Sequence, residues 1–405
     1  MNYDFNKEVI RRGTDCMKWD EAEDGVLPLW IADMDFETAP CIHEAILRRA
    51  RHGVFGYNLI PESFYESIIW WNSHRHGWTP RREWMLYTSG VVPALSAIIK
   101  GLCRAGDGVL FFTPAYNCFF SSVRNNDCRL VEFPLTWSPS AERYSIDFGA
   151  LEQTLDCEHP RLLLLCNPHN PTGRVWTREE LSRIAALCAA RDIVVLSDEI
   201  HCEFVDPALG RSYLPFAPIA DDAGCMWVIA NAPNKAFNIA GLQTAYIVTA
   251  DDDFRTRIDH ALNVNEVCDI NCFSFVALQA AYTPEGEEWL NQLVAYIYGN
   301  YRYFRATLKA AFPDGDGTKP RLPIAPLEGT YLAWADVSAF VASTPFNGSS
   351  ERLAAQLRSK QRVWINGGEM YGQAGFLRVN LATQHQRLAE ATRRLVAALT
   401  SAPAL

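Results

Sequence analysis

Short apolar runs alternate with helical patterns over residues 85–250, and this alternation constrains the fold more than any other feature. The runs cover residues 109–112, 130–133, 162–166, 194–196, 227–229 and 246–248. Several are apolar throughout, as expected of strands that are buried on both faces between helices. The spacers 92–103 and 177–190 have the length of crossover helices, and the second opens on the capping-box pattern Thr177-Arg-Glu-Glu. The pattern predicts an α/β doubly wound sheet.

The pattern changes near Pro284 and predicts a second, smaller domain. Its elements are a long helix over 285–312, a Pro-rich connector over 320–326, a strand over 331–335, a helix over 351–360, strands around 363–365 and 376–380, and a helix over 388–399. A chain of 405 residues is long enough for two or three compact units. We therefore expect an N-terminal segment over 1–50 that packs with the small domain, a large domain over 51–283, and a C-terminal α+β domain over 284–405.

Charge and hydropathy argue against several classes of protein. The formal net charge is −10 and no Lys/Arg-rich run occurs, whereas nucleic-acid binding needs a basic surface. No run approaches the ~18 apolar residues of a membrane span. The first twelve residues are polar and charged, unlike a signal peptide. We expect a cytoplasmic protein without nucleic-acid or membrane partners.

The twelve cysteines show no metal-binding spacing. Cys268 and Cys272 are four residues apart and have no His or Cys partner at the spacing of a zinc site. We expect reduced, mostly buried thiols and no metal.

The polar residues that follow the apolar runs carry the functional prediction, because ligands of open α/β sheets bind beyond the carboxyl ends of the strands. Gly90 and Val91 open a helix, and the free N–H groups of a helix N-terminus suit a phosphate. Tyr116 follows the run 109–112 and can stack on a flat ring. Asn170, in the rigid loop Asn-Pro-His-Asn-Pro-Thr-Gly, can present its amide to a phenolate oxygen.

Two charged residues complete this set. Asp198 closes an apolar run, and a buried carboxylate needs a partner such as a pyridinium N–H, which keeps the ring an electron sink. Lys235 lies in a mainly uncharged stretch, where desolvation lowers the pKa of an amine and makes it a nucleophile or base. His201 receives no catalytic role. Each residue alone has an ordinary explanation as a turn, packing or surface residue, but five such signals in order, each at a strand end, predict a consistent cofactor site.

Asn-Pro-x-Asn-Pro-Thr-Gly, Ser-Asp-Glu and the later Lys resemble the class I/II aminotransferase-like pyridoxal-phosphate (PLP) enzymes of fold type I, over nearly the whole chain. The resemblance implies a large domain with a mostly parallel seven-stranded sheet between helices, plus a smaller α+β domain. It also implies that Lys235 carries the cofactor, Asp198 pairs with the pyridine nitrogen, Asn170 contacts the ring oxygen and Tyr116 stacks on the ring. The expected cofactor-binding set also includes Gly90, Val91, His201, Asn234 and Tyr57.

Finer segments resemble the MalY/PatB group of cystathionine β-lyases, which are carbon–sulfur lyases. These segments include Arg-Arg-Gly-Thr at 11–14, Leu-Trp-Ile-Ala-Asp-Met-Asp-Phe at 29–36, Phe-Gly-Tyr at 55–57, and Lys-Ala-Phe-Asn-Ile-Ala-Gly-Leu-Gln at 235–243. By this resemblance, Tyr57 reaches the PLP phosphate of the neighbouring subunit, which implies a homodimer with shared active sites. Arg378 resembles the residue that clamps the substrate α-carboxylate, a task that suits a guanidinium group. Ala32, Asp33, Tyr116 and Asn170 complete the expected substrate-binding set.

Two positions depart from the wider family. Asn234 stands where many members have a Ser that helps to hold the phosphate, and Gln243 stands near the place where typical aspartate aminotransferases have an Arg for the phosphate. We therefore expect the backbone at Gly90 and Val91 to carry more of the phosphate binding.

The predicted activity is β-elimination from cystathionine or other cysteine S-conjugates, giving a thiol, pyruvate and ammonia. The substrate amine displaces Lys235, and the freed amine then removes the α-proton as general base. An aminotransferase that uses the same residues is the main alternative. A PLP-bound regulatory or binding protein is a second alternative, against which the intact set of Lys235, Asp198 and Asn170 argues.

Overall fold

The computed structural model describes residues 2–264, 269–313, 321–342 and 345–400. Cys268 and Pro320 lie outside them, and the other eleven cysteines are free thiols. The strands are β1 (Leu27–Pro28), β2 (Met85–Thr88), β3 (Gly108–Thr113), β4 (Arg129–Pro134), β5 (Thr136–Ser138), β6 (Arg143–Ser145), β7 (Leu162–Cys166), β8 (Val194–Asp198), β9 (Trp227–Asn231), β10 (Ala245–Val248), β11 (Leu332–Asp336), β12 (Val363–Trp364), β13 (Asn366–Gly367) and β14 (Phe376–Asn380).

Helices surround these strands along the whole described chain. They are α1 (Met17–Asp20), α2 (Pro40–Arg51), α3 (Glu62–His76), α4 (Val91–Leu102), α5 (Asn117–Arg124), α6 (Phe148–Glu158), α7 (Arg178–Ala189), α8 (Phe216–Ala223), α9 (Asn234–Phe237), α10 (Asp252–Asn263), α11 (Ser274–Ala281), α12 (Pro284–Ala311), α13 (Ser338–Val341), α14 (Ser350–Gln356) and α15 (His385–Thr400). The capping box predicted at Thr177 is present: its side chain accepts from the backbone of Glu180, whose own side chain accepts from the backbone of Thr177. No described helix is both long enough and apolar enough to cross a membrane.

Seven strands form the predicted α/β sheet, in the order β2-β10-β9-β8-β7-β3-β4. The strands from β9 to β4 run parallel, and β10 runs antiparallel to both of its neighbours. All six apolar runs form strands, which confirms the fold class. The sequence pattern did not indicate β2 or the reversed direction of β10.

The apolar runs are explained by burial on both faces of the sheet. In β7 every residue is buried, and successive side chains belong to opposite cores. Leu163 and Leu165 pack into the core on one face, and Leu162 and Leu164 into the core on the other. With no solvent-exposed face, such a strand has no position that favours a polar residue.

The C-terminal elements build a three-stranded sheet in the order β11-β14-β13. The predicted helix 351–360 ends as α14 at Gln356 and continues as a π-helical turn over Leu357–Gln361. The predicted strand 363–365 divides in two, because β12 pairs with β1 whereas β13 pairs with β14. The β1–β12 pairing brings part of the N-terminal segment against the C-terminal elements, and the division into domains stays a prediction.

Candidate active site

The residues singled out from the sequence follow strand ends that meet at one edge of the large sheet. Since β2, β3, β7, β8 and β9 point in the same direction, their carboxyl ends lie together. The residues that this edge gathers are Gly90 after β2, Tyr116 after β3, Asn170 after β7, Asp198 at the end of β8, His201 after it, and Asn234 and Lys235 after β9.

Lys235 lies in the short helix α9, and its amine is held by the N-terminal segment. Its Nζ donates to the carbonyl oxygen of Ala32 at 2.7 Å. Burial lowers the pKa of Lys235 to about 8; the nearby Asp33 carboxylate opposes this shift, and the Arg378 guanidinium adds to it. An amine with this pKa is still mostly protonated at pH 7, but its uncharged fraction, the form that acts as nucleophile or general base, is far larger than for an ordinary lysine.

Asp198 is buried at the end of β8, and burial raises its pKa to about 7. The backbone N–H of Ile200 donates to Asp198 Oδ1 at 3.2 Å, and the charge of Lys235 partly offsets the desolvation. Ionising a carboxylate here is costly unless a cationic donor meets it. The protonated nitrogen of a pyridine ring is such a donor.

Asn170 and Arg378 contact each other, although 208 residues separate them in the chain. Arg378 Nη1 donates to Asn170 Oδ1 at 3.3 Å, and Nη2 donates to the carbonyl oxygen of Trp30 at 3.1 Å. The guanidinium carbon lies 4.5 Å from the centroid of the Tyr371 ring, and Nε is buried without a partner. A buried guanidinium with an unused N–H is suited to bind a carboxylate.

Tyr116 and His201 supply two rings to the site. Tyr116 precedes α5 and packs edge-on against Phe119, with ring centroids 5.9 Å apart. Burial lowers the pKa of His201 to about 3, so its ring is neutral, and its Nδ1 is buried without a partner. His201 also lies edge-on to Tyr331 at 5.8 Å.

Several buried polar atoms near this edge are left without partners in the protein. Asn234 Oδ1 and the hydroxyls of Thr88 and Thr244 are among them. Thr88 pairs in register with Ala245, so the side chains of Thr88 and Thr244 point to opposite faces of the sheet. The helix α4 begins at Val91, directly after Gly90, and presents free N–H groups. The N–H groups of this helix start suit the phosphate of a cofactor, and the buried Oδ1 of Asn234 suits a hydrogen-bond donor.

Tyr57 lies outside this set of contacts. Its side chain is 96% exposed, and the neighbouring Phe55 and Leu59 are also exposed. The single chain therefore does not bring Tyr57 into the site.

The sequence analysis missed Tyr331, whose hydroxyl donates to the carbonyl oxygen of Ala32 at 3.1 Å. Two donors, Tyr331 and Lys235, thus share one acceptor. In the sequence Tyr331 only opens a predicted strand of the small domain, and no local pattern points to the active site.

A second buried cluster lies close by. Among the residues that the structure describes, one group of potential metal ligands has atoms within 4.8 Å of one another: His76, Cys202 and Glu203. The Glu203 carboxylate already accepts from Trp71 Nε1 at 2.6 Å and pairs with Arg75 and His76. Although burial opposes ionisation, His76 and Arg75 lower the pKa of Glu203 to about 2. The cluster is therefore a self-contained ion-pair network that ties α3 to the loop after β8.

Comparison with known families shows which protein family has this arrangement of residues. Residues 24–395 match the model of the class I and II aminotransferases. The chain belongs to this family. The match spans both the strand ends that gather Lys235 and Asp198 and the small-domain strand that carries Arg378.

Relatives narrow the family to the group recognised in the sequence. Cystathionine β-lyase PatB of Bacillus subtilis is 35% identical over 99% of this chain and 100% of its own length. Protein MalY of Escherichia coli is 33% identical over 98% of this chain and 99% of its own length. The crystal structure of cystalysin from Treponema denticola, which contains pyridoxal 5′-phosphate, matches with a TM-score of 0.90 and 29% identity over 99% of both chains. The cofactor of this protein is pyridoxal 5′-phosphate.

Proposed function

We propose that the protein is a PLP-dependent carbon–sulfur β-lyase that cleaves L-cystathionine or related cysteine S-conjugates to a thiol, pyruvate and ammonia. The observation that carries the proposal is the full-length similarity to PatB, a cystathionine β-lyase. The chemistry of the buried Lys235 amine, beside Asp198 and Arg378, is consistent with it.

The proposed roles follow from the contacts. Bound PLP supplies an electron sink for the electron pair left at the substrate Cα. Lys235 removes the α-proton, because its lowered pKa leaves part of the amine uncharged at neutral pH and the carbonyl oxygen of Ala32 positions its Nζ. Asp198 keeps a proton on the pyridine nitrogen, and Arg378 clamps the substrate carboxylate beside Asn170.

Loss of the β-substituent requires little further assistance from the protein. A thiol has a pKa of about 8.5, so a thiolate is a good leaving group near neutral pH. After taking the α-proton, Lys235 is an ammonium whose pKa of about 8 matches that of the thiol. The same residue can therefore return its proton to the departing sulfur.

We assign the remaining cofactor contacts to residues according to their positions at the edge of the large sheet. Tyr116 stacks on the ring, and the neutral His201 lies behind it. The N–H groups at Gly90 and Val91 would bind the phosphate, with the side-chain N–H groups of Asn234 as further donors. Ala32 and Asp33 border the substrate next to Lys235.

The protein is also proposed to be a cytoplasmic homodimer with shared active sites. The described cysteines are all free, as in a reducing compartment. The segment around Tyr57 exposes Val54, Phe55 and Leu59 by 62%, 57% and 91%. Large apolar side chains that are exposed in one short segment favour an interface with a partner.

Co-expression of two defective chains tests the shared site. In a dimer of Tyr57→Ala with Lys235→Ala, one site carries both defects and the other carries none. Random pairing should thus restore activity at about a quarter of the sites. We expect pyruvate release from the co-expressed pair to exceed the sum of the two variants alone, and no gain over that sum would contradict the shared site.

The activity itself is tested with purified protein and L-cystathionine, without any added keto acid. We expect equal amounts of pyruvate and free thiol. If the protein releases neither but consumes an amino acid once a keto acid is supplied, it is an aminotransferase. If it binds PLP and does neither, a regulatory or binding role takes the place of the proposed one.

A further inference from the structure

Seven successive backbone carbonyls, those of residues 30–36, each accept a hydrogen bond from a side chain. We call them the carbonyl row. The donors lie 2.7–3.1 Å from the oxygens: Arg378 and Asn366 to Trp30, Asn380 to Ile31, Lys235 and Tyr331 to Ala32, Lys18 and Asn380 to Asp33, Arg11 and Asn238 to Met34, Gln384 to Asp35, and Asn238 to Phe36. Irregular backbone is usually hydrated, so side-chain bonds along the whole row indicate that its conformation is fixed.

Two of these donors are the basic side chains of the proposed mechanism, Lys235 and Arg378. Lys235 Nζ donates to the carbonyl oxygen of Ala32 at 2.7 Å, and Arg378 Nη2 donates to the carbonyl oxygen of Trp30 at 3.1 Å. The row therefore sets the spacing between the amine that takes the α-proton and the guanidinium that holds the carboxylate of the same substrate carbon. A general base must lie within about 2.6–3.2 Å of its proton's carrier, so this spacing matters for rate.

A fully buried ion pair, Lys18 with Asp35, contacts the carbonyl row. Lys18 Nζ lies 2.9 Å from Asp35 Oδ2, and both side chains are 0% exposed. Lys18 also donates to the carbonyl oxygen of Asp33 at 2.8 Å. The other carboxylate oxygen of Asp35 accepts from Trp19 Nε1 at 2.8 Å and from Arg11 at 3.1 Å.

A buried ion pair is weak evidence for stability, because desolvation offsets most of its attraction and apolar residues can often replace it. Its distinctive property is direction: the ammonium donates to one particular carbonyl, that of Asp33, while its charge is paired with the Asp35 carboxylate. We propose that Lys18 and Asp35 are positioning residues, which lock the carbonyl row so that it aims Lys235 and Arg378 at one substrate carbon. The proposal rests on the proposed function and extends it to residues that do not touch the substrate.

The test replaces both charges at once with apolar residues, Lys18→Met with Asp35→Leu, so that neither member of the pair is left buried alone. Arg11 and Arg387 also pair with Asp35, but they are 19% and 14% exposed and keep Asp33 and Glu8 as partners. The matched control is Lys7→Met with Glu37→Leu, an ion pair in the same region whose side chains are 60% and 61% exposed. Two readouts do not depend on turnover: hydrogen exchange of the backbone amides of residues 30–36 in the cofactor-free protein, and visible circular dichroism of the cofactor in the holoenzyme.

In the Lys18/Asp35 variant we expect faster exchange in residues 30–36, weaker visible dichroism and a kcat lower by about 10- to 100-fold, since an ångström of misplacement costs on the order of 10² in rate. The control should match wild type in all three. A folded Lys18/Asp35 variant with wild-type exchange and dichroism overturns the proposal.

If that variant does not fold, Arg11→Met provides a second test of the role of the Lys18–Asp35 pair. Arg11 is partly exposed and donates to the Asp35 carboxylate at 3.1 Å and to the carbonyl oxygen of Met34 at 2.7 Å, so its loss loosens Asp35 without leaving a buried charge alone. Faster exchange in residues 30–36 with weaker dichroism supports the proposal, and wild-type values overturn it. If wild type itself releases no pyruvate from cystathionine, the proposed function fails, but exchange and dichroism still decide the role of the pair.

Discussion

Lys235→Ala is expected to lower pyruvate release from L-cystathionine by at least about 10⁴-fold, because the residue acts both as the covalent anchor of the cofactor and as general base. The variant should still fold, since the substitution removes an amine whose charge is disfavoured by burial. Its cofactor should remain bound without a covalent link and wash out on dialysis. Steady-state kinetics, melting temperature and the visible spectrum before and after dialysis measure these effects.

Lys360→Ala is the matched control, because Lys360 is exposed on the π-helical turn and lies in no part of the proposed site. It should retain wild-type kinetics and spectrum. If Lys235→Ala keeps more than about 1% of the turnover, another residue must take the α-proton, because losing a general base alone costs about 10²–10⁴. Rescue by a small added amine would instead support the assignment, because such an amine can replace the missing base.

The strands of the large sheet could be predicted because burial on both faces leaves a local trace, a run without polar residues. β7 and β8 carry it most clearly. β2 could not be found in this way, because its two middle residues are only partly buried. The direction of β10 depends on which neighbours it pairs with, and nothing within Ala245–Val248 records that choice.

The residues of the candidate site also fall into two groups, those that a local sequence pattern indicates and those that it does not. Asp198 and Lys235 directly follow buried strands, so their positions could be inferred from the sequence. The carbonyl row depends on contacts between residues up to 349 positions apart, as between Asn380 and Ile31, and such contacts leave no local pattern. Tyr331 and the Lys18–Asp35 pair therefore emerge only from the folded chain.

Asp198→Asn is expected to have opposite effects on catalysis and on the stability of the cofactor-free protein. Asparagine can still accept from the N–H of Ile200, but it cannot hold a proton on the pyridine nitrogen. Without that charge the ring withdraws electrons less strongly, and we expect kcat to fall on the order of 10³-fold, which corresponds to about 4 kcal/mol. Glu199→Gln is the control, because this neighbouring buried carboxylate bonds to Tyr213 and Ser197 within the protein; it should lose less than about 10-fold.

The stability effect follows from the pKa of Asp198, which burial raises from 3.8 to about 7 in the folded, cofactor-free chain. A raised pKa means that this carboxyl group favours folding fully below pH 3.8, and that its contribution is lost as the pH rises through about 7. The loss amounts to roughly 4 kcal/mol, about three pKa units at 1.36 kcal/mol each. Asparagine does not ionise, so cofactor-free Asp198→Asn should be more stable than wild type at pH 8, with the difference shrinking towards pH 4. Urea unfolding at the two pH values measures it, and a variant that is less stable than wild type at pH 8 would show that the Asp198 carboxylate already has a cationic partner within the protein.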